Sequence, residues 1–131
     1  MKAEILELKQ AHKQTKQWKS VLGFLEQENI FQKNKLAEIL KRFGAKNGNL
    51  LEIAEQYQSQ FLQQDEALRF IWNDLAELER SIEEESLNNA DEAMKINNRK
   101  EKLRKEIDSL QIHFNKLKSH FLHFFEVFSE T

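Results

Sequence analysis

The sequence predicts an all-α protein, an elongated antiparallel bundle of three long helices with coiled-coil-like heptad packing. The 131 residues include no proline and only three glycines, whereas all-β folds need many turn residues. Apolar residues recur in alternating steps of three and four along three long segments, a pattern typical of nearly parallel, packed helices. Because the length suits one hydrophobic core, we expect residues 1–131 to form a single helical-bundle domain.

Helix 1 is predicted over residues 3–43. Its apolar side combines two series of positions seven residues apart, and these core-facing positions are called the seam below. The first series is Leu8, Thr15, Leu22, Asn29, Leu36 and Phe43, and the second is Ala11, Trp18, Leu25, Gln32 and Ile39. Gly44 follows the last of them and can supply a left-handed C-terminal cap.

Helices 2 and 3 are predicted over residues 50–84 and 90–128, each with its own seam. Asn49, with Glu52 three residues later, has the spacing of an N-terminal cap for helix 2. The seam of helix 2 is Leu50, Ala54, Tyr57, Phe61, Gln64, Leu68, Ile71, Leu75, Leu78 and Ile82. The seam of helix 3 is Ile96, Lys100, Leu103, Ile107, Leu110, Phe114, Leu117, Phe121, Phe124 and Phe128.

The break between helices 2 and 3 has a weaker signal. Asn89 and Glu92 repeat the cap spacing, which favours a turn over residues 86–90. This turn contains no glycine or proline. The alternative is therefore that helix 2 continues into helix 3, and that two chains exchange helices to form a dimer. With two short turns the helices run up, down and up. This layout resembles that of spectrin-like repeats, and no functional motif accompanies the resemblance.

The charges are distributed unevenly along the chain. The net charge of −2 divides into +5 over residues 1–46, −8 over residues 47–90 and +1 over residues 91–131, which favours packing of the acidic segment between its neighbours. The basic run over residues 97–106 is interpreted as a solvated, internally paired helix face opposite the acidic half of helix 2. The low pI and the lack of aromatic residues among the basic ones argue against nucleic-acid binding.

Most catalytic and membrane classes lack a signal in the sequence. Because there is no cysteine, disulfides, thiolate nucleophiles and cysteine-bound metals are excluded. No apolar run reaches the roughly 18 residues of a membrane span, and the first ten residues do not read as a signal peptide. No phosphate loop, nucleophile elbow or zinc-protease motif is present. We therefore expect a cytoplasmic protein that is not an enzyme and has no cofactor.

A polar layer is predicted near the middle of the bundle. The two turns pair positions of helices 1 and 2 whose numbers sum to about 93, and positions of helices 2 and 3 whose numbers sum to about 174. The polar residues that then fall in one or two adjacent layers are Asn29, Gln32, Gln64 and His113. We interpret them as a hydrogen-bonded layer that fixes register. The alternatives are a small-ligand or metal pocket, or an enzyme site with a mid-bundle cavity.

Residues 111–128 contain three of the four histidines and five of the ten phenylalanines. Four of these phenylalanines lie on the seam of helix 3, so core packing is their expected role. An alternative function is a metal- or cofactor-binding bundle that uses His120, His123 and Glu126, whose spacing of three places neighbours on one helical face. The second such pair that dinuclear bundles require is absent from the chain.

Several apolar side chains lie beside the seams. These residues are Phe24 and Phe31 of helix 1, and Ile112, Leu122 and Phe125 of helix 3. An apolar patch beyond the core indicates a partner surface, although a broader core stripe is an alternative. The leading hypothesis is a small helical protein that acts through protein–protein contacts. We expect a homodimer, or contact with a protein partner, through helices 1 and 3 near the Gly44 end.

Overall fold

The computed structural model describes residues 2–44, 48–84 and 90–129 and consists of three helices that pack against one another. They are α1 (Lys2–Phe43), α2 (Gly48–Glu84) and α3 (Ala90–Ser129). The described residues contain no strand, so the all-α prediction and the three-helix bundle are confirmed. At about 1.5 Å per residue, the 42 residues of α1 extend over about 63 Å.

The buried side chains follow the predicted seams. On α1 they are Ala11, Thr15, Trp18, Leu22, Leu25, Asn29, Gln32, Leu36 and Ile39. On α2 they are Leu50, Ala54, Phe61, Gln64, Leu68, Ile71, Leu75, Leu78 and Ile82. On α3 they are Ile96, Leu103, Ile107, Leu110, Phe114 and Phe121. The 3.5-residue spacing therefore places the apolar side of each helix against the other two.

Sequence neighbours run antiparallel, as contacts between α1 and α2 show. Near one end of the pair Lys19 binds Glu79 with 2.7 Å between Nζ and Oε2. Further along, Lys33 binds Asp65 with 2.6 Å between Nζ and Oδ2. Residue numbers thus rise along α1 while they fall along α2, which is the direction expected for helices joined by a short connection.

The register of α3 differs from the predicted one. The Arg99 guanidinium lies 3.0 Å from Ser81 Oγ, and the numbers of this pair sum to 180 rather than 174. Glu28 of α1 pairs with Lys118 of α3 at 3.0 Å, and these two residues are 90 positions apart, whereas the predicted register pairs positions 81 apart. Helix α3 is therefore displaced along α1 from the predicted register, which had placed Phe31 near the level of Ile112.

Aromatic packing gives a physical reason for this register. The rings of Phe61 and Phe121 meet edge to face with 5.1 Å between their centroids, and both side chains are fully buried. Edge-to-face rings gain energy beyond the burial of their area. A turn length alone could not predict which two phenylalanines form this contact.

The helix ends differ in detail from the predictions. None of the described glycines has a positive φ, so the left-handed cap predicted at Gly44 is wrong. Helix α2 begins at Gly48, one residue before the predicted cap Asn49. Arg99 of α3 contacts Ser81 of α2, so α3 packs back onto α2 within the chain, which contradicts a continuous helix. Asn89 and most of the predicted turn lie outside the described residues.

The helices are amphipathic rather than uniformly apolar. Over residues 2–44, 48–84 and 90–129, no helix has an apolar stretch long enough to cross a membrane.

Candidate functional site

A polar layer divides the hydrophobic core into two clusters. One cluster contains Leu25 and Leu68, and the other contains Leu36 and Phe61. The polar side chains between these levels are Asn29, Gln32 and Gln64, all of which are buried. These three residues are predicted members of the layer, and of the three only Asn29 has a side-chain hydrogen bond within the described structure.

The fourth predicted member, His113, is exposed and does not belong to the layer. It lies at the edge of a groove between α2 and α3. Half-buried Leu117, which packs against the second core cluster, occupies the α3 seam at this level. The prediction failed because it used the register in which α2 and α3 numbers sum to 174.

Asn29 is held by hydrogen bonds to α2. Its amide nitrogen donates to the carbonyl oxygen of Phe61 at 3.0 Å and to Asp65 Oδ1 at 2.6 Å. The Lys33 ammonium donates to Asp65 Oδ2 at 2.6 Å. Asn29 Oδ1 is the one fully buried side-chain polar atom without a hydrogen-bond partner among the described residues. The amide nitrogen is thus well paired, whereas the amide oxygen carries a desolvation cost.

Asp65 and Lys33 were not predicted as members of this network. Each directly follows a polar seam residue, Gln64 or Gln32, and so lies beside the seam on the side of the neighbouring helix. Charged residues are common at such positions in packed helices. Only the register shows which two of them meet, and that information is not local to either helix.

The three predicted metal ligands are not brought together as a metal site among the residues that the structure describes. His120, His123 and Glu126 are all exposed. Among the described side chains, no group of three histidine, aspartate or glutamate residues is arranged to hold a metal ion. The described structure therefore provides no observation that favours the metal-binding alternative.

An aromatic cluster forms part of the second core cluster, the one that contains Leu36. Tyr57 lies with its ring centroid 5.3 Å from that of Phe121 and 5.1 Å from that of Phe124. Its hydroxyl donates to the carbonyl oxygen of His120 at 3.3 Å. Burial raises the pKa of the Tyr57 hydroxyl because the phenolate would lose solvation. Phe121 therefore has the core role that was predicted for the phenylalanines of the α3 seam.

On α1, the two predicted interface phenylalanines are exposed. Phe24 is 61% exposed and Phe31 is 55% exposed. Ile30, also exposed, lines the same shallow depression between these two rings. Ile30 was not predicted as an interface residue, although it directly follows the seam residue Asn29. An apolar surface of this kind is unusual on an isolated soluble helix bundle.

On α3, Phe125 and Leu122 continue this apolar surface. The Lys35 ammonium lies 4.5 Å from the centroid of the Phe31 ring and 4.9 Å from that of Phe125, so one cation bridges both rings. Leu122 lies between Lys118 and Phe125 on the side of α3 that meets α1. We call the surface formed by Phe24, Ile30, Phe31, Leu122 and Phe125 the phenylalanine face.

Ile112 lies away from the phenylalanine face. It is 55% exposed, but it precedes Lys118 by six residues and so points to a different side of α3. Lys35, by contrast, was missed by the sequence analysis. Its position four residues after Phe31 is the local signal that could have identified it.

The basic run of α3 pairs mainly within its own helix. Arg104 binds Asp108 at 3.2 Å and also binds Glu101. Its hydrogen bond to Glu101 lowers the pKa of that exposed carboxyl. Across the helices, Glu79 pairs with Lys19 of α1 instead. The basic side chains of this run thus pair with acidic side chains of the same helix, as predicted. Among the described residues, no ion pair joins the run to the acidic half of α2.

No protein-family model matches the chain, and neither a curated protein nor a solved structure does.

Proposed function

We propose that this is a non-enzymatic protein that acts through protein–protein contact and self-associates through the phenylalanine face. The observation that carries the proposal is the exposure of Phe24 and Phe31 beside Phe125. Full burial of one such side chain contributes about 1.5–3 kcal/mol relative to exposure. Two copies of the face would therefore gain substantially by covering one another.

The charges around the phenylalanine face support a second copy as its partner. Glu28 and Lys118, which border the face, neutralise each other across α1 and α3. Lys35 is held over two aromatic rings, where its ammonium remains favourable when water is removed. Apart from the Lys35 ammonium, the border therefore has little uncompensated charge to oppose the approach of an identical surface.

The double substitution Phe31→Glu with Phe125→Glu tests this proposal. We expect the variant to remain helical by circular dichroism and to have a lower molar mass than the wild type in light scattering. Each glutamate would carry a charge into the proposed contact, and a buried unpaired charge is strongly unfavourable.

Ile112→Glu is the matched control, since it places the same charge on an exposed apolar position on another side of α3. This control is expected to retain the wild-type mass. A double variant with the wild-type mass would contradict the proposal, and so would one that unfolds, because these two residues would then belong to the core.

A further inference from the structure

A second surface lies between α2 and α3, where two adjoining depressions form one continuous groove. The first depression lies beside Gln64 and Lys116, and the second lies beside Phe70 and Lys105. Both share the floor residues Ala67 and Leu110. We call this feature the α2/α3 groove, and it is separate from the phenylalanine face between α1 and α3.

The α2/α3 groove lacks the ion pairs that bridge the other two helix interfaces. Lys19–Glu79 and Lys33–Asp65 join α1 to α2, and Glu28–Lys118 joins α1 to α3. No ion pair joins α2 to α3 within the described part of the chain. The small side chain of Ala67 adds further space at the floor. Along the groove, the described residues of α2 and α3 are thus not held together by an ion pair.

Gln64 places an amide in the floor of the α2/α3 groove. The residue is only 9% exposed, and its side chain makes no hydrogen bond with the described residues. Unlike Asn29 Oδ1, however, the amide is not sealed inside the protein, because Gln64 lines the groove. A nine-tenths buried amide gains by pairing with a polar group. It therefore provides a hydrogen-bonding position for whatever occupies the groove.

The dimensions of the α2/α3 groove match a helix. The lining residues extend from Gln60 to Asp74 on α2 and from Lys105 to His120 on α3, which corresponds to about 22 Å. About four helical turns cover this distance. A helix laid between two helices is the fourth member that converts three-helix packing into a four-helix bundle. At the edge, Phe70 is 64% exposed, and an exposed aromatic side chain is a common anchor for a partner.

The charge of the α2/α3 groove selects among helical partners. The half that contains Gln64 is lined by Lys116, His113 and His120, with no aspartate or glutamate. Lys116 forms no ion pair with the described residues. In the other half, Lys105 is accompanied by Asp74 and Glu106, so its charge is locally balanced. Acidic side chains next to Lys116 are therefore the complementary choice.

From this geometry we propose that the α2/α3 groove binds an amphipathic helix of a partner protein. The apolar side of that helix lies on Ala67 and Leu110, and acidic side chains on its flank face Lys116. This is helix-in-groove recognition, with anchors at intervals of three and four residues. The proposal does not depend on self-association through the phenylalanine face, because the two surfaces lie on different sides of α3.

The test uses the full chain and a synthetic peptide of about four to five helical turns. The peptide has leucine at its a and d positions, glutamate on both flanks and a lactam bridge on its outer side. A second peptide has lysine in place of each glutamate. In fluorescence anisotropy we expect saturable binding of the glutamate peptide, at least about tenfold tighter than that of the lysine peptide.

Three variants locate the binding site. Ala67→Gln fills the groove floor and is expected to weaken binding of the glutamate peptide at least about tenfold. Lys116→Glu alters only an exposed side chain, so it still tests the proposal if Ala67→Gln fails to fold. This variant is expected to bind the lysine peptide more tightly than the glutamate peptide. Phe31→Glu lies on the phenylalanine face and is expected to leave the affinity unchanged.

The proposal is overturned if the glutamate peptide shows no saturable binding, or if the lysine peptide binds equally well. It is also overturned if Phe31→Glu abolishes binding while Lys116→Glu does not alter it, because the peptide would then occupy the phenylalanine face. The self-association proposal is measured separately by molar mass without peptide.

Discussion

At the scale of single residues, Asn29, Asp65 and Lys33 connect α1 to α2 where the hydrophobic core is interrupted. The Asn29 amide and the Lys33 ammonium use separate oxygens of the Asp65 carboxylate. If α1 slid by one heptad, Asn29 would lose both of its α2 acceptors and remain buried. The network therefore favours the observed register over its neighbours, as buried polar residues do in coiled coils.

Replacing Asp65 with Asn tests the strength of this network. We expect the free energy of unfolding to fall by about 1–2 kcal/mol, because Lys33 loses a charged partner while an acceptor for Asn29 is retained. Chemical denaturation measures the change. Glu38→Gln is the control, since Glu38 and Arg42 form an exposed pair 3.8 Å apart on one helix and should contribute less than about 0.5 kcal/mol. Equal effects of the two substitutions would contradict a special role for Asp65.

The single tyrosine of the chain provides a prediction about pH. Burial holds the pKa of Tyr57 above its ordinary value of 10.0, so the folded state binds this proton more tightly than the unfolded state does. The resulting stability is fully present below pH 10 and is lost as the pH rises through the folded-state pKa. We expect the melting temperature of the wild type to fall toward that of Tyr57→Phe above about pH 10. A difference that stays constant up to about pH 11 would contradict this expectation.

The sequence predicted the buried amides but not their partners. Asn29, Gln32 and Gln64 stand at seam positions, and seam positions are buried whatever the register. Asp65 and His113 stand beside the seams, and their neighbours depend on how far one helix is displaced along another. Asp65 was therefore missed, and His113 was placed in a layer to which it does not belong.

At the scale of whole elements, the bounds of the three helices follow from their heptad patterns, whereas the backbone conformation at Gly44 does not. Each predicted helix lies within two residues of the observed bounds. Gly44 was nevertheless predicted to be left-handed because glycine is common at that position after a helix. The described glycines instead have negative φ, and Gly44 is buried beside Leu40 and Leu51.

Gly44→Ala tests the corrected conformation. A methyl group at this position would lie 3.7 Å from Leu51 Cδ2, an ordinary van der Waals distance. We therefore expect no loss of stability, whereas a left-handed residue would lose about 1 kcal/mol or more. Gly23→Ala is the reference within α1, where the added methyl group meets no atom within 4 Å, and it should gain about 0.5–1 kcal/mol. Thermal melts of both variants make the comparison.

At the scale of the whole molecule, the interior and the phenylalanine face use the same amino acid for different purposes. Phe121 is fully buried against Phe61, while Phe31 is exposed on α1. The repeat predicted this division, since Phe121 is on a seam and Phe31 is not. It could not predict that Lys35 would bridge Phe31 and Phe125, because this arrangement depends on how far α3 is displaced along α1.

Two alanine substitutions test this division. Phe121→Ala is expected to lower the free energy of unfolding by about 3–5 kcal/mol, because it opens a cavity among packed rings. Phe31→Ala, an equal change in side-chain volume, should lower it by less than about 1 kcal/mol in a dilute sample. Denaturant titrations at low protein concentration give both values. A large loss for Phe31→Ala would place that ring in the core and remove the basis of the phenylalanine face.

Sedimentation equilibrium of the wild type measures whether two copies of the chain associate, as we propose for the phenylalanine face. We expect the molar mass to rise with protein concentration from the chain mass of 15.6 kDa toward twice that value. A mass that stays at 15.6 kDa from micromolar to millimolar concentration would show that the face does not join two copies.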